Sequence, residues 1–173
     1  MISTDPFQTL AEFGVAIAGF TSIVVVFGRR GGAFHPADRY RVFTALVPSL
    51  AGAFLALVPV GLGMLTLSPE AVWRISSLVV VLVVGSYSVV AARGLARLPA
   101  EARALFADVI VAVFRCSWIG SLALAFLNAT GLVFAPQPGV YFFVVLVPIL
   151  LGAISFARIV FIRPVDGGGG VGA

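Results

Sequence analysis

Five apolar stretches, each long enough to cross a bilayer as a helix, run through this chain of 173 residues and fix what it can fold into. A span needs about 20 apolar residues to cross a hydrocarbon core of about 30 Å. Lipid offers backbone N–H and C=O groups no partner, and a helix satisfies them within one segment. The stretches fall at residues 6–28, 40–66, 69–92, 104–127 and 139–162. The expected fold is an all-α transmembrane bundle of five spans, a single domain over residues 1–164, with a flexible Gly-rich tail at 165–173. Charged residues are only 10% of the chain, against roughly 25% in a soluble domain.

Local punctuation supports these boundaries. Asp5 followed by Pro6 reads as an N-cap and a first helical proline, with Gln8 at capping-box spacing. Ser68-Pro69-Glu70 has the same form. Pro99 opens the fourth helix, whose apolar part begins at Leu105, "NATG" from Asn128 breaks it, and Arg163-Pro164 closes the fifth. Without a basic segment before it, the first span is expected to be retained rather than cleaved as a signal peptide.

Orientation follows from arginine, which supplies all eleven basic residues. Arg29, Arg30 and Arg39 lie in the first connection, with Arg41 at the mouth of span two. Arg93, Arg97 and Arg103 lie in the third, and Arg163 begins the tail. The second and fourth connections hold none, and Arg74 just after the second lies one turn from Glu70, its expected partner. Short cytoplasmic loops collect basic residues, so the N-terminus is expected outside and the C-terminus inside. Trp73 and Tyr141 are expected as interfacial anchors at one side and Tyr40 at the other. In "HPADRYR", His35, Asp38, Arg39 and Arg41 read as a helix start and an inside signal, within reach of lipid phosphate.

Several function classes are disfavoured. The net charge of +4 comes from arginines scattered along loop ends, not clustered with exposed aromatics, so nucleic acid is not an expected partner. One His (His35) and one Cys (Cys116) make no metal or haem ligand set, and no cofactor motif is present. Ser76, Ser77, Ser86, Ser88, Ser117 and Ser121 have no intramembrane His or Lys to activate them, so an enzyme is not expected.

Small residues and prolines mark where helices meet. Gly14, Ala18 and Ser22 share one face of span one, and Ala112, Cys116 and Gly120 one face of span four, as helix-packing seams. They serve either packing within one copy or contact between copies. Pro48, Pro59 and Pro148 are expected kinks, each freeing a carbonyl one turn earlier. Around two of them "LVPSLAGAF" (46–54) is echoed by "LVPILLGAI" (146–154), compatible with an inverted repeat of spans one and two against four and five.

Charges inside the spans are the candidate site. A charge at bilayer mid-depth costs about 2.5–3.5 kcal/mol on insertion scales, so it faces protein or water. Arg115, some ten residues into the apolar part of span four, lies about 15 Å deep by this count, near the midplane. Asp108 shares its face two turns earlier, too distant for direct pairing. Glu12 in span one is the third candidate. The three form either a buried network that fixes how spans one and four pack or the lining of an ion pathway. Arg158, one turn from the end of span five, is expected to snorkel.

The stretches "LAEFGVAIAGFTSIVVVFGRR", "DRYRVFTALVPSL" and "SFARIVF" resemble a loose set of small bacterial multi-span integral membrane proteins. The resemblance implies a bacterial inner-membrane location and carries neither a site nor an activity. The leading functional expectation is a homo-oligomeric conduit for an ion or small solute, with the bilayer as its surroundings. A non-transporting interaction or accessory subunit docking through span one is the second. A small alternating-access transporter built on the inverted repeat is the third.

Overall fold

A computed structural model describes residues 5–27, 35–106 and 108–161. The described residues form six helices: α1 (Asp5–Phe27), α2 (Pro36–Gly63), α3 (Pro69–Ala96), the short α4 (Ala100–Ala104), α5 (Asp108–Thr130) and α6 (Pro138–Phe161). All but α4 are long and apolar enough to cross a membrane, at 23 to 28 residues each, or about 34–42 Å. Arg29, Arg30, Arg163, Pro164 and the tail at 165–173 lie outside the described residues.

The starts follow the punctuation with two adjustments. Ser68 caps α3, its hydroxyl accepting from the Ala71 N–H at 3.2 Å, and Arg74 pairs with Glu70 at 2.8 Å. His35 caps α2 through Nδ1, which accepts from the Ala37 N–H. Gln8, however, is turned forward and its amide donates to Glu12 at 3.2 Å. Pro99 starts only the five-residue α4, and the fourth span is α5, from Asp108 to Thr130, not 104–127. The chain leaves the helix at Leu105 and Phe106 because Phe106 is tucked inward against Ala37 and Ala102. At the far end Asn128 is fully buried, donating to the Ser77 hydroxyl at 2.9 Å and accepting from the Gln137 N–H at 3.0 Å. The break read at "NATG" falls on its glycine, where α5 ends at Thr130 and Gly131 takes φ +70°.

The centre of the bundle is α2, packed on α1 and α6, with α3 and α5 closing the other side. Ser49 is the pivot. Gly14 of α1 lies against its carbonyl, so close that a Cβ there would sit 2.6 Å from that oxygen. Gly152 of α6 leaves room for the Ser49 side chain, and Gly52 of α2 for Ile149. The contacts Gly52–Ile149 and Gly152–Ser49 exchange equivalent positions of the two "LVP" segments, so the crossing has local twofold character. It does not extend to whole helix pairs: α1 packs on both α2 and α6, whereas α5 packs on α3 and α6.

Two prolines sit inside their helices without leaving acceptors orphaned. Pro59 deprives the Leu55 carbonyl of its donor, and the Tyr141 hydroxyl supplies one. Pro148 does the same to Val144, whose carbonyl accepts from Ser121 at 3.2 Å. Trp73 and Tyr141 are therefore not anchors facing headgroups. They are 3% and 1% exposed and pack with Phe7 in an aromatic cluster with ring centroids 5.7 to 5.8 Å apart.

Candidate functional site

The expected trio of charges does not assemble within one copy. Glu12 is exposed, bonded to Gln8, and lies two turns from the start of α1. Arg115 lies on α5, which does not pack on α1. If the spans alternate in direction as the arginine pattern requires, the two also stand in opposite halves of the bundle. Asp108 and Arg115 do face one groove, shared with Arg103, but form no ion pair. Because α5 begins at Asp108, Arg115 is seven residues into its span, only about 10 Å from the helix start and short of the midplane.

What Arg115 joins instead is a second arginine cluster at the arginine-rich end. A cavity of about 180 Å³ opens there between α2, α3, α5 and α6. Tyr40 and Thr44 of α2, Ser88 and Ala91 of α3, Arg115 of α5 and Arg158 of α6 line it, with Phe106 as part of its wall. Along α5 the lining is apolar on both sides of Arg115, through Ile110, Val111 and Phe114 before it and Trp118, Ile119 and Leu122 after it. The cavity thus sets two arginines, Arg115 and Arg158, within a largely hydrocarbon lining.

Phe106 organises the mouth. The Cζ atoms of Arg41 and Arg158 lie 5.6 and 5.8 Å from its ring centroid, within cation–π distance. Arg41 is 6% exposed and holds Asp38 through Nη1 at 2.8 Å. Its Nε, and that of Arg158, are buried without a hydrogen-bond partner among the described residues. Tyr40 closes the α2–α3 side, its hydroxyl donating to the Ala91 carbonyl at 3.0 Å. Three guanidinium groups therefore gather around the mouth; of the two carboxylates near them, Asp38 is bound to Arg41 and Asp108 faces a groove with Arg115 without pairing to it, which leaves positive charge in excess. The surplus of positive charge in a poorly hydrated setting favours an anion.

In the sequence Arg41 reads as part of a helix start and inside signal within reach of lipid phosphate, and Arg158 as a snorkelling residue. Asp38, three residues before Arg41, is a partner at helical spacing but does not point to the cluster, and Arg158 has none. The available signal was Phe106, a large aromatic beside the α4–α5 break, which a polar connecting loop does not require.

The packing seams divide. Gly14 and Ala18 are buried against the rest of the bundle, and Ser22 stays at its edge, donating to the Ala18 carbonyl at 2.9 Å. Ala112, Cys116 and Gly120 are all exposed, and a Cβ on Gly120 would meet nothing within 4 Å. They share the outer face of α5 with Asp108 and Arg115, also exposed. Among the described residues no group of three or more His, Cys, Asp or Glu side chains could hold a metal ion. No protein-family model, curated protein or solved structure matches the chain, so the site's chemistry is read from its own residues.

Proposed function

We propose that this five-span membrane protein works as a homo-oligomeric conduit for a small anion, with copies meeting along α5 and Arg115 as the selecting charge. The observation that carries the reading is the outer face of α5. Asp108, Ala112, Arg115, Cys116 and Gly120 lie together there, exposed in a single copy. Acyl chains are poor cover for a guanidinium two turns inside a span, whereas small residues allow another helix to come close. Within one copy the bundle interior is filled by Leu55, Val80, Val144, Val145 and Ile149, so a path runs between copies. Glu12 lies away from this face and has no part in it.

The test is reconstitution. Purified protein in nanodiscs has the mass of an oligomer, and in liposomes it passes chloride or nitrate in preference to potassium. Arg115→Gln keeps the oligomer but loses that preference. A monomeric mass with no flux discards the conduit. Loss of assembly in Arg115→Gln, with no separable change in flux, makes Arg115 a packing residue.

The accessory-subunit reading stands second, supported by the apolar outer face of α1, where Phe13, Phe20, Val26 and Phe27 are exposed. It is favoured if the reconstituted protein is silent while a stoichiometric protein partner co-purifies with it.

A further inference from the structure

We infer that the cavity between α2, α3, α5 and α6 is a binding site for one anionic phospholipid, taken from the leaflet at the arginine-rich end. Neither conduction nor self-association is required for it. Charge complementarity and the apolar lining that surrounds the cationic groups carry the inference. Arg115 and Arg158 stand at the mouth, and Arg41 lies behind Phe106 with its one carboxylate partner already engaged. From Arg115 the lining continues along α5 through Trp118 to Leu122, a run of about 10 Å. A phosphate at the arginines would place its glycerol and first acyl carbons along that run.

A free inorganic anion would satisfy the arginines but leave the apolar lining unused. A neutral or zwitterionic lipid would cover that lining but bring no net charge to the arginines. Only a molecule with both parts meets both. The Nε of Arg158, which lines the cavity, is unpartnered among the described residues and points the same way, while Arg41 lies against Phe106 and does not itself line the cavity. The Arg158 guanidinium retains donor capacity that the Phe106 ring does not use, and phosphate oxygens accept such donors in forked geometry. If the arginine pattern sets orientation as positive-inside predicts, the leaflet is the cytoplasmic one, where basic clusters between spans bind acidic headgroups.

The experiment is native mass spectrometry of the detergent-solubilised full chain, titrated separately with phosphatidylglycerol, phosphatidylcholine and inorganic phosphate. One phosphatidylglycerol per chain is expected to bind, with phosphatidylcholine at least tenfold weaker and inorganic phosphate unable to displace the lipid. Arg115→Gln and Arg158→Gln should each weaken binding roughly fivefold, as expected for loss of one basic group near an anionic headgroup. Arg97→Gln, an exposed arginine at the same end that does not line the cavity, should change it less than twofold. Ala92→Phe, which fills the cavity from α3 without altering charge, should weaken binding as strongly as the arginine changes. Equal retention of both lipids, displacement by inorganic phosphate, or an Arg97→Gln effect as large as that of Arg115→Gln overturns the assignment. Because Arg158 packs on Phe106, Arg115→Gln on the exposed α5 face and Ala92→Phe keep the test decisive should Arg158→Gln fail to fold.

Discussion

The Tyr141 hydroxyl donates to the Leu55 carbonyl at 2.6 Å, and this is the acceptor that Pro59 leaves without a helical donor. The carbonyl that Pro59 frees in α2 is therefore satisfied by α6, not by α2 itself. Ser121 of α5 performs the same service for Val144 of α6, next to Pro148. In lipid, where water cannot step in, such cross-helix donors are what make the prolines tolerable.

Tyr141→Phe should cost about 1 kcal/mol, in the range of interhelical hydrogen bonds measured in membranes. In a Pro59→Ala background the cost should nearly vanish, since the substituted residue brings a backbone N–H that can take the Leu55 carbonyl. Unfolding in mixed micelles, run as a double-mutant cycle, reads the difference. Equal penalties in both backgrounds would show that Tyr141 stabilises through ring packing alone.

The glycines of the first span should separate sharply. Gly14→Ala drives a methyl to 2.6 Å from the Ser49 carbonyl, and the forced backbone shift should cost about 1–3 kcal/mol. Gly19→Ala meets nothing within 4 Å and should be neutral or gain up to about 1 kcal/mol from better helix propensity. The same unfolding assay ranks them.

Asp38→Asn should be far more damaging than Glu70→Gln. The first strands the buried Arg41 guanidinium, a loss that approaches about 3 kcal/mol for a buried pair. The second breaks an exposed pair worth about 1 kcal/mol or less. Thermal unfolding of the two variants side by side gives the ordering. Comparable, small losses would mean that solvent or lipid phosphate replaces Asp38 at no cost.

Cys116, the chain's one cysteine, lies exposed on the α5 face proposed to join copies. Mild oxidation of native membranes should trap a disulfide-linked dimer, and Gly120→Phe should reduce its yield several-fold while leaving the monomer folded. Absence of the cross-linked product at any oxidant level would move the contact elsewhere.

The spans were legible because the bilayer imposes one length and one polarity on every crossing segment. The prolines were legible as well, since a missing N–H has the same consequence in any helix, although the identity of the rescuing donors was not. Depth was misread for Arg115 because counting began at Leu105. No periodicity signalled that Phe106 turns inward and breaks the helix. Trp73 and Tyr141 looked like anchors because their positions fit the interface, and only packing against Phe7 reveals that they face inward. The Arg41–Phe106–Arg158 convergence joins α2, the α4–α5 turn and α6, and no spacing within one helix encodes such a meeting. The break at "NATG" was legible through Gly131, but that Asn128, still helical, is spent on a buried bond to Ser77 was not.

The Leu55–Tyr141 bond also bears on the chronology of synthesis. When α2 leaves the ribosome, the donor for its orphaned carbonyl has not yet been translated and lies 86 residues downstream. A chain stopped before α6 would leave that oxygen facing the membrane interior unanswered. Maturation of the amino-terminal half is thus contingent on the last span, and truncated products should be recognised by quality-control proteases even though each of their helices can insert.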